Sequence, residues 1–183
     1  MNNVTLLING IVLGGWKSVS IKRSIKSIVG AFDLTYTDQW NYNNQPWRIK
    51  QEDKAEIYID DDLVCTSYID AVEPSISSES KTLSVRGRDI TCDLVDCSTD
   101  IRQVEFKNLK ADSIIQALAN PFGIKVLTEV DPGPVFNVWT IQRSETPFEN
   151  MAKIAQKRGL LLVSDAKGNL VLTATKSIKA VCA

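Results

Sequence analysis

The sequence predicts a mainly β protein with a smaller α+β part: a small antiparallel β-barrel followed by an α+β subdomain. Roughly the first ninety residues contain about six strand-like runs at short spacing, which is typical of small antiparallel barrels or sandwiches. Two later segments each show a helix, a glycine and an apolar run. The composition, 44% hydrophobic and 23% charged over 183 residues, is that of a globular protein with ordinary cores. We predict a barrel over residues 1–97, an α+β subdomain over residues 98–175 and an atypical tail over residues 176–183.

The barrel is predicted to begin with a hairpin. The segment VTLLINGIVL places two apolar runs around Asn9-Gly10, a dipeptide that favours a type I′ turn, so Gly10 has a structural role. The segments WKSVSIKRSI and GAFDLTYTD then alternate, and the second does so more clearly because Phe32, Leu34 and Tyr36 share one face. The Asn-rich segment QWNYNNQPWRIKQED contains a proline and predicts a loop.

A second hairpin is predicted further along the barrel, with strands over residues 55–59 and 63–72 and with Asp60-Asp61-Asp62 at its turn. Another strand follows in KTLSVRGRD, where Leu83 and Val85 alternate with polar residues. The segment DITCDLVDCSTD predicts a short helical turn that ends the barrel.

The α+β subdomain is predicted to contain two helices. The first covers residues 110–120 and ends at Pro121 and Gly123. The second begins at Thr146, where T-P-F-E forms a capping box with Glu149, and it ends at Gly159. Its predicted apolar stripe is Phe148, Met151, Ala152 and Ala155, and residues 160–173 are predicted to form a hairpin.

The residue types argue against an enzyme. The chain has no histidine, which excludes Ser-His-Asp and Cys-His catalysis and a mixed Cys/His zinc site within this chain. It has no glycine-rich phosphate loop, and Asp60-Asp61-Asp62 lacks the spacing of a calcium loop. We therefore predict no catalytic residue, no cofactor and no bound metal. The spacing of Cys65, Cys92, Cys97 and Cys182 predicts buried or half-buried free thiols.

The charge distribution argues against a duplex-binding protein. Residues 1–97 carry ten basic and fourteen acidic residues, a balance of −4, and residues 98–183 carry eleven and eight, a balance of +3. Neither half has the positive excess that a duplex-binding domain needs. The start of the chain has no basic region typical of a signal peptide, and no apolar run approaches the ~20 residues that span a membrane. We expect a protein that begins in a cytoplasm.

The best candidates for a functional surface are two groups of exposed-type residues. One group flanks a single predicted strand: Trp16, Lys17, Lys22, Arg23 and Lys26. It predicts either a solvated strand face or a subunit contact, and a nucleic-acid groove is disfavoured because aromatic residues are not interleaved with the cations. The second group, Trp40, Tyr42 and Trp47, lies in the Asn-rich loop. Large aromatics there fit a protein contact and fit packing onto the barrel equally well.

Several segments, in order, resemble the baseplate hub protein of Mu-like contractile-tailed phages. They are LLINGIVLGGWKSVSIKRSIKSIVGAFDLTYTD, YIDAVEPSISSESKTLSVRGRDITCDLVDCS, LANPFGIKV and ETPFENMAKIAQKRGLLLVSDAKGNLVLT. The resemblance implies a tube-type barrel and a structural role, in which three subunits form a ring that joins the tail tube to the central spike. It also implies a plan similar to T-even phage hubs and type VI secretion spike hubs. The implied partners are other hub subunits, tube proteins and spike proteins, with no membrane and no sequence-specific nucleic acid.

The same resemblance implies a location in the virion tail baseplate, after assembly in the host cytoplasm. The family continues into a second barrel, whereas this chain ends in TKSIKAVCA. We therefore expect a C-terminally truncated hub chain that is a monomer or an irregular oligomer on its own.

One alternative comes from a different class of protein. The segment IQRSETPFENMAKIAQKRGLL also resembles the start of a LysM peptidoglycan-binding module. A LysM module continues from this point into a second helix, whereas a hub subdomain continues into a hairpin. The structure of residues 160–173 therefore discriminates between glycan binding and hub assembly.

Overall fold

The chain forms two compact units. The computed structural model describes residues 3–38, 49–76, 81–99 and 101–174. The first unit comprises Met1–Cys92 and Asp165–Gly168, and the second comprises Asp93–Ser164 and Asn169–Ala183. The main boundary between the two units therefore follows Cys92, whereas the sequence predicted a boundary after residue 97. Four residues from the later part of the chain also belong to the first unit, which the sequence did not indicate.

The first unit is built on one antiparallel sheet of seven strands, whose order is β2-β1-β5-β6-β7-β4-β3. In chain order these strands are β1 (Val4–Ile8), β2 (Ile11–Leu13), β3 (Ser18–Ser24), β4 (Ser27–Asp38), β5 (Lys54–Ile59), β6 (Asp62–Ile76) and β7 (Lys81–Asp89). A 3₁₀ turn, Ile90–Cys92, follows the last strand. The mainly β prediction is confirmed.

The sheet curls on itself in the way the predicted barrel requires. β2 and β3 stand at opposite ends of the strand order, yet only residues 14–17 separate them in the chain. Because five residue steps span at most about 17 Å, the two ends of the sheet must lie close together. One core cluster accordingly contains side chains from both sides of the order, including Leu6 and Ile8 of β1 and Phe32 and Leu34 of β4.

The two predicted hairpin turns are present. Asn9 and Gly10 have φ values of 51° and 80°, as a type I′ turn requires, and Ile8 pairs with Ile11 across the turn. The second turn is tighter than predicted, because Asp62 already belongs to β6 and pairs with Ile59. Asp60, with φ 53°, and Asp61 alone connect these strands.

The described residues of the second unit form three α-helices and two small sheets. Its elements are α1 (Asp93–Asp96), β8 (Glu105–Leu109), α2 (Ala111–Ala119), a 3₁₀ turn (Asn120–Phe122), β9 (Val126–Thr128), β10 (Phe136–Thr140), α3 (Pro147–Arg158), β11 (Leu161–Ser164) and β12 (Leu170–Thr173). β8 pairs antiparallel with β10, and the second sheet has the order β11-β12-β9, with β9 parallel to β12. Both predicted helices and the predicted hairpin after α3 are therefore present.

The ends of α3 follow the predicted chemistry. The hydroxyl of Thr146 accepts a hydrogen bond from the Glu149 amide at 3.2 Å, and the Glu149 carboxylate accepts one from the Thr146 amide at 2.9 Å. Gly159 ends the helix with φ 64°, in the left-handed region that favours glycine. The predicted apolar stripe was partly wrong. Its members Phe148 and Ala152 are only half-buried, and the buried side chains are Pro147, Asn150, Met151, Ile154 and Ala155.

Replacing Thr146 by alanine should lower the free energy of unfolding by about 1 kcal/mol, because the Glu149 amide at the start of α3 loses its acceptor. Urea unfolding monitored by circular dichroism measures the change. Thr146→Ser, which keeps the hydroxyl, is the matched control and should stay close to the parent. Equal unfolding midpoints for the alanine variant and the parent would contradict a role of the cap in stability.

Candidate assembly surface

The β3 edge of the first unit carries the basic residues that the sequence singled out. Among the described strands β3 pairs only with β4, and that pairing contains a β-bulge between Lys22 and Ser24. Lys17, Lys22 and Lys26 are exposed on or beside this strand. Lysines and a bulge on an edge strand both discourage indiscriminate strand pairing. We refer to these three lysines as the basic edge.

Arg23 behaves differently from its three lysine neighbours. Its Nη1 donates a hydrogen bond to the carbonyl oxygen of Val64 at 2.7 Å, and its Nη2 donates one to that of Asp165 at 3.0 Å. The same Nη2 lies 3.8 Å from Oδ2 of Asp89. The guanidinium is therefore engaged within the first unit, whereas the ammonium groups of the basic edge are presented to solvent.

Asp89 is a buried carboxylate whose side chain is 2% exposed. It accepts a hydrogen bond from the Gly30 amide at 3.0 Å and one from the Cys65 thiol at 2.6 Å. Burial and this hydrogen bond to Asp89 raise the pKa of the Cys65 thiol to about 12. Since the thiolate is the reactive form, Cys65 is an inert structural thiol at neutral pH.

The aromatic candidates fall into two groups. Trp16 is half-buried and packs against the core of the first unit, where its ring meets Tyr36 edge-on at a centroid distance of 6.5 Å. Trp16 therefore contributes mainly to the packing of the first unit. Trp40, Tyr42 and Trp47 lie outside the described residues. The exposed apolar side chains of the first unit include two on the other edge strand, β2, where Ile11 and Val12 are 48% and 66% exposed.

The described residues offer no metal-binding cluster. No group of three or more His, Cys, Asp or Glu side chains within them is arranged to hold a metal ion. In the acidic turn, Oδ1 of Asp60 accepts a hydrogen bond from the Asn3 amide at 2.8 Å, which is a structural role. The prediction for the cysteines holds for Cys65 and Cys92, which are buried thiols outside any disulfide, whereas Cys97 is exposed and Cys182 lies outside the described residues. None of the helices in the described part of the chain is long and apolar enough to cross a membrane.

Sequence reasoning missed a buried asparagine in the second unit. Asn150 is 2% exposed although it lies on α3. Its Oδ1 accepts from the Gln142 amide at 2.9 Å, and its Nδ2 donates to the carbonyl oxygens of Gln142 and Thr146 at 2.9 and 3.2 Å. Asparagine is a poor residue for a helix interior, and that mismatch was the available signal.

Comparison with known proteins agrees with this arrangement of two units. Residues 3–89 match the family model of the Mu phage baseplate assembly protein GpP-like N-terminal domain, and residues 91–174 match that of the second domain of gp44-like baseplate hub proteins. Baseplate hub protein gp44 of Escherichia phage Mu is 33% identical over 96% of this chain. The chain spans 47% of the length of that relative.

Solved structures show the same fold. The 43 kDa tail protein of prophage MuSo2 from Shewanella oneidensis superposes with a TM-score of 0.88 and is 39% identical, over 98% of this chain and 57% of that one. The E. coli c3393 protein, a type VI secretion component that exhibits structural similarity to the T4 tail proteins gp27 and gp5, has a TM-score of 0.55 at 10% identity. That match covers 94% of this chain and 44% of the other, and it shows the fold alone.

The two matched domains, in this order, define a phage tail baseplate protein. Within that class, the chain is similar to the gp44-like baseplate hub proteins, as the quoted segments had indicated. The LysM alternative is not supported, because the hairpin of β11 and β12 follows α3 where a LysM module would place its second helix.

Proposed function

We propose that this chain is a structural, non-catalytic part of a phage or prophage tail baseplate hub, where it links the tail tube to the central spike through contacts between subunits. The observation that carries the proposal is the consecutive match of both units to baseplate domains over residues 3–89 and 91–174. The proposed partners are other hub subunits, in the trimer implied by the family, together with tube and spike proteins. The proposed location is the virion tail baseplate, after assembly in the host cytoplasm.

The geometry supports a role in assembly rather than in chemistry. The charged side chains of the outer sheet face pair with each other: Arg86 contacts Asp33 at 3.1 Å and Glu73 at 3.2 Å, and Arg88 contacts Asp70 at 2.7 Å. Such exposed pairs add little stability and instead define a pattern of charge that a neighbouring subunit can match.

We assign the subunit contact to the basic edge, and Trp40 and Trp47 are kept as further contact residues proposed from the sequence. Lys17, Lys22 and Lys26 remain exposed while Arg23, on the same strand, is used internally. Exposed cations on and beside one edge strand fit an acidic surface on a neighbouring tail protein, since complementary charge speeds association and selects the partner.

The proposal is tested at the native gene in its phage or prophage genome. Reversing the basic edge, with Lys17→Glu, Lys22→Glu and Lys26→Glu together, should reduce the chain in purified tails by at least about tenfold, because like charges then face each other. Mass spectrometry of tails measures the chain, and electron microscopy counts assembled baseplates. The matched control reverses three exposed lysines elsewhere: Lys54, Lys110 and Lys125.

Three outcomes have different meanings. Loss of the chain from tails only in the basic-edge variant supports both the hub role and the assigned surface. Normal tails in that variant would overturn the assigned surface but leave the hub role intact. Purified tails that contain no copy of the parent chain would overturn the hub role itself.

A further inference from the structure

Four of the five residues that connect β11 and β12 belong to the first unit. Asp165–Gly168 groups with Met1–Cys92, although about seventy residues of the second unit separate them in the chain. We refer to Asp165–Gly168 as the plug. Its contacts within the first unit involve β3, β6 and the 3₁₀ turn after β7.

Two side chains of the sheet bind carbonyl oxygens of the plug. Arg23, on β3, donates from Nη2 to the oxygen of Asp165 at 3.0 Å. Thr66, on β6 and 4% exposed, donates from Oγ1 to the oxygen of Ala166 at 2.9 Å. Because a buried hydroxyl without a partner is costly, this hydrogen bond stabilises both the buried Thr66 side chain and the position of the plug.

The last residue of the plug fits its site closely. Gly168 is buried and has φ 79°, in the region that favours glycine. A Cβ added at this position would lie 2.3 Å from Cδ1 of Ile90. The backbone of the plug at Gly168 therefore packs directly against the side chain of Ile90, the first residue of the 3₁₀ turn that follows β7.

Arg23 joins the plug to the buried carboxylate of Asp89. A buried ionised carboxylate is costly unless a charge or hydrogen bonds compensate it. Asp89 has Arg23 at 3.8 Å and the Gly30 amide at 3.0 Å. The guanidinium is thus held on the inner side of β3, where it reaches the plug and Val64 together.

We propose that the plug completes the first unit and that Arg23 is the positioning residue that holds the plug and β3 together. The inference goes beyond the proposed function and does not depend on it. β3 also carries Lys22, so the plug contributes to the rigidity of the strand on which the basic edge is displayed. The first unit should consequently not reach its full local stability without residues 165–168.

A pair of glycine variants in the full chain tests the packing of the plug. Gly168 and Gly123 have φ values of 79° and 69°, so alanine strains the backbone similarly at both positions. Only Gly168 has a close neighbour, because nothing lies within 4 Å of a Cβ at Gly123. Hydrogen exchange should accelerate by at least about tenfold in the plug and in β3 for Gly168→Ala, and in neither for Gly123→Ala. Unchanged exchange of both segments in Gly168→Ala would overturn the proposal.

A second set of variants tests Arg23. Arg23→Gln should accelerate exchange of the plug and of β3 by at least about tenfold, whereas Lys22→Gln on the same strand should not. Because Arg23→Gln also removes the positive charge that faces Asp89, the double variant Arg23→Gln with Asp89→Asn removes both charges. The double variant should recover only part of the thermal stability, because asparagine can accept one of the two hydrogen bonds that Asp89 accepts, while exchange of the plug remains fast. Recovery of plug protection to the parent level would show that Arg23 acts only on Asp89, and the proposal would fail.

Discussion

Replacement of Gly87 by alanine is expected to lower the free energy of unfolding by about 3–5 kcal/mol, one of the largest effects of any single methyl group in the first unit. Gly87 lies in the middle of β7 and pairs with Phe32 of β4 on one side and with Ile69 of β6 on the other. An added Cβ would lie 2.1 Å from the carbonyl oxygen of Tyr68 and 2.5 Å from Cε1 of Phe32. Since contacts below 3.0 Å cannot persist, the central strands would have to separate.

Urea unfolding of the full chain measures this effect, and Gly14→Ala is its control. The nearest atom to a Cβ at Gly14 is 3.8 Å away, so that variant should unfold like the parent. Shortening the aromatic ring with Phe32→Leu should not rescue Gly87→Ala, because the carbonyl oxygen of Tyr68 remains in place. A rescued double variant, or an unaffected single variant, would show that the strands can shift apart at little cost.

Turns and helix ends were predictable because their chemistry is local. Asn9-Gly10 specifies a type I′ turn through its own backbone preferences, and Thr146, Glu149 and Gly159 cap α3 through atoms within a few residues. Each of these predictions is confirmed. Gly87 was not singled out because its requirement comes from Phe32 and Tyr68, which are distant in the sequence.

The assembly surface was predictable only as a set of residue types. Their positions along one predicted strand grouped Arg23 with Lys17, Lys22 and Lys26, and those positions could not show that Arg23 reaches Asp165. Binary patterning assigns a side chain to one face of a strand but does not identify its partners. The plug is a sharper case, because the residues of a predicted hairpin turn carry no signal that they belong to the first unit.

The apolar stripe predicted for α3 shows the same limit of binary patterning, here for apolar residues. Counting hydrophobic residues selected Phe148 and Ala152, which are half-buried, and omitted Asn150, which is buried. A polar residue becomes a core residue when nearby backbone groups need partners, and those groups are supplied by the loop before α3. The sequence of a helix alone does not contain that loop's conformation.

Replacement of Asn150 by leucine is accordingly expected to lower the free energy of unfolding of the second unit by about 3–5 kcal/mol, because each buried polar group left without a partner costs about 1–3 kcal/mol. The amide and carbonyl of Gln142 and the hydroxyl of Thr99 lose their bonds to Asn150, which are 2.9, 2.9 and 3.3 Å long. Leucine matches asparagine approximately in size, so the effect reports hydrogen bonding more than packing.

Urea unfolding measures the loss, and hydrogen exchange of residues 141–146 locates it. Asn137→Leu, at an exposed position on β10, is the control and should change the unfolding free energy by no more than about 0.5 kcal/mol. Asn150→Asp keeps the acceptor for the Gln142 amide but places a carboxylate beside the carbonyl oxygens of Gln142 and Thr146, so it should also destabilise. If Asn150→Leu had the same free energy of unfolding as the Asn137→Leu control, the backbone groups of residues 141–146 would have to find hydrogen-bond partners within their own loop. Asn150 would then not be the residue that holds this loop against α3.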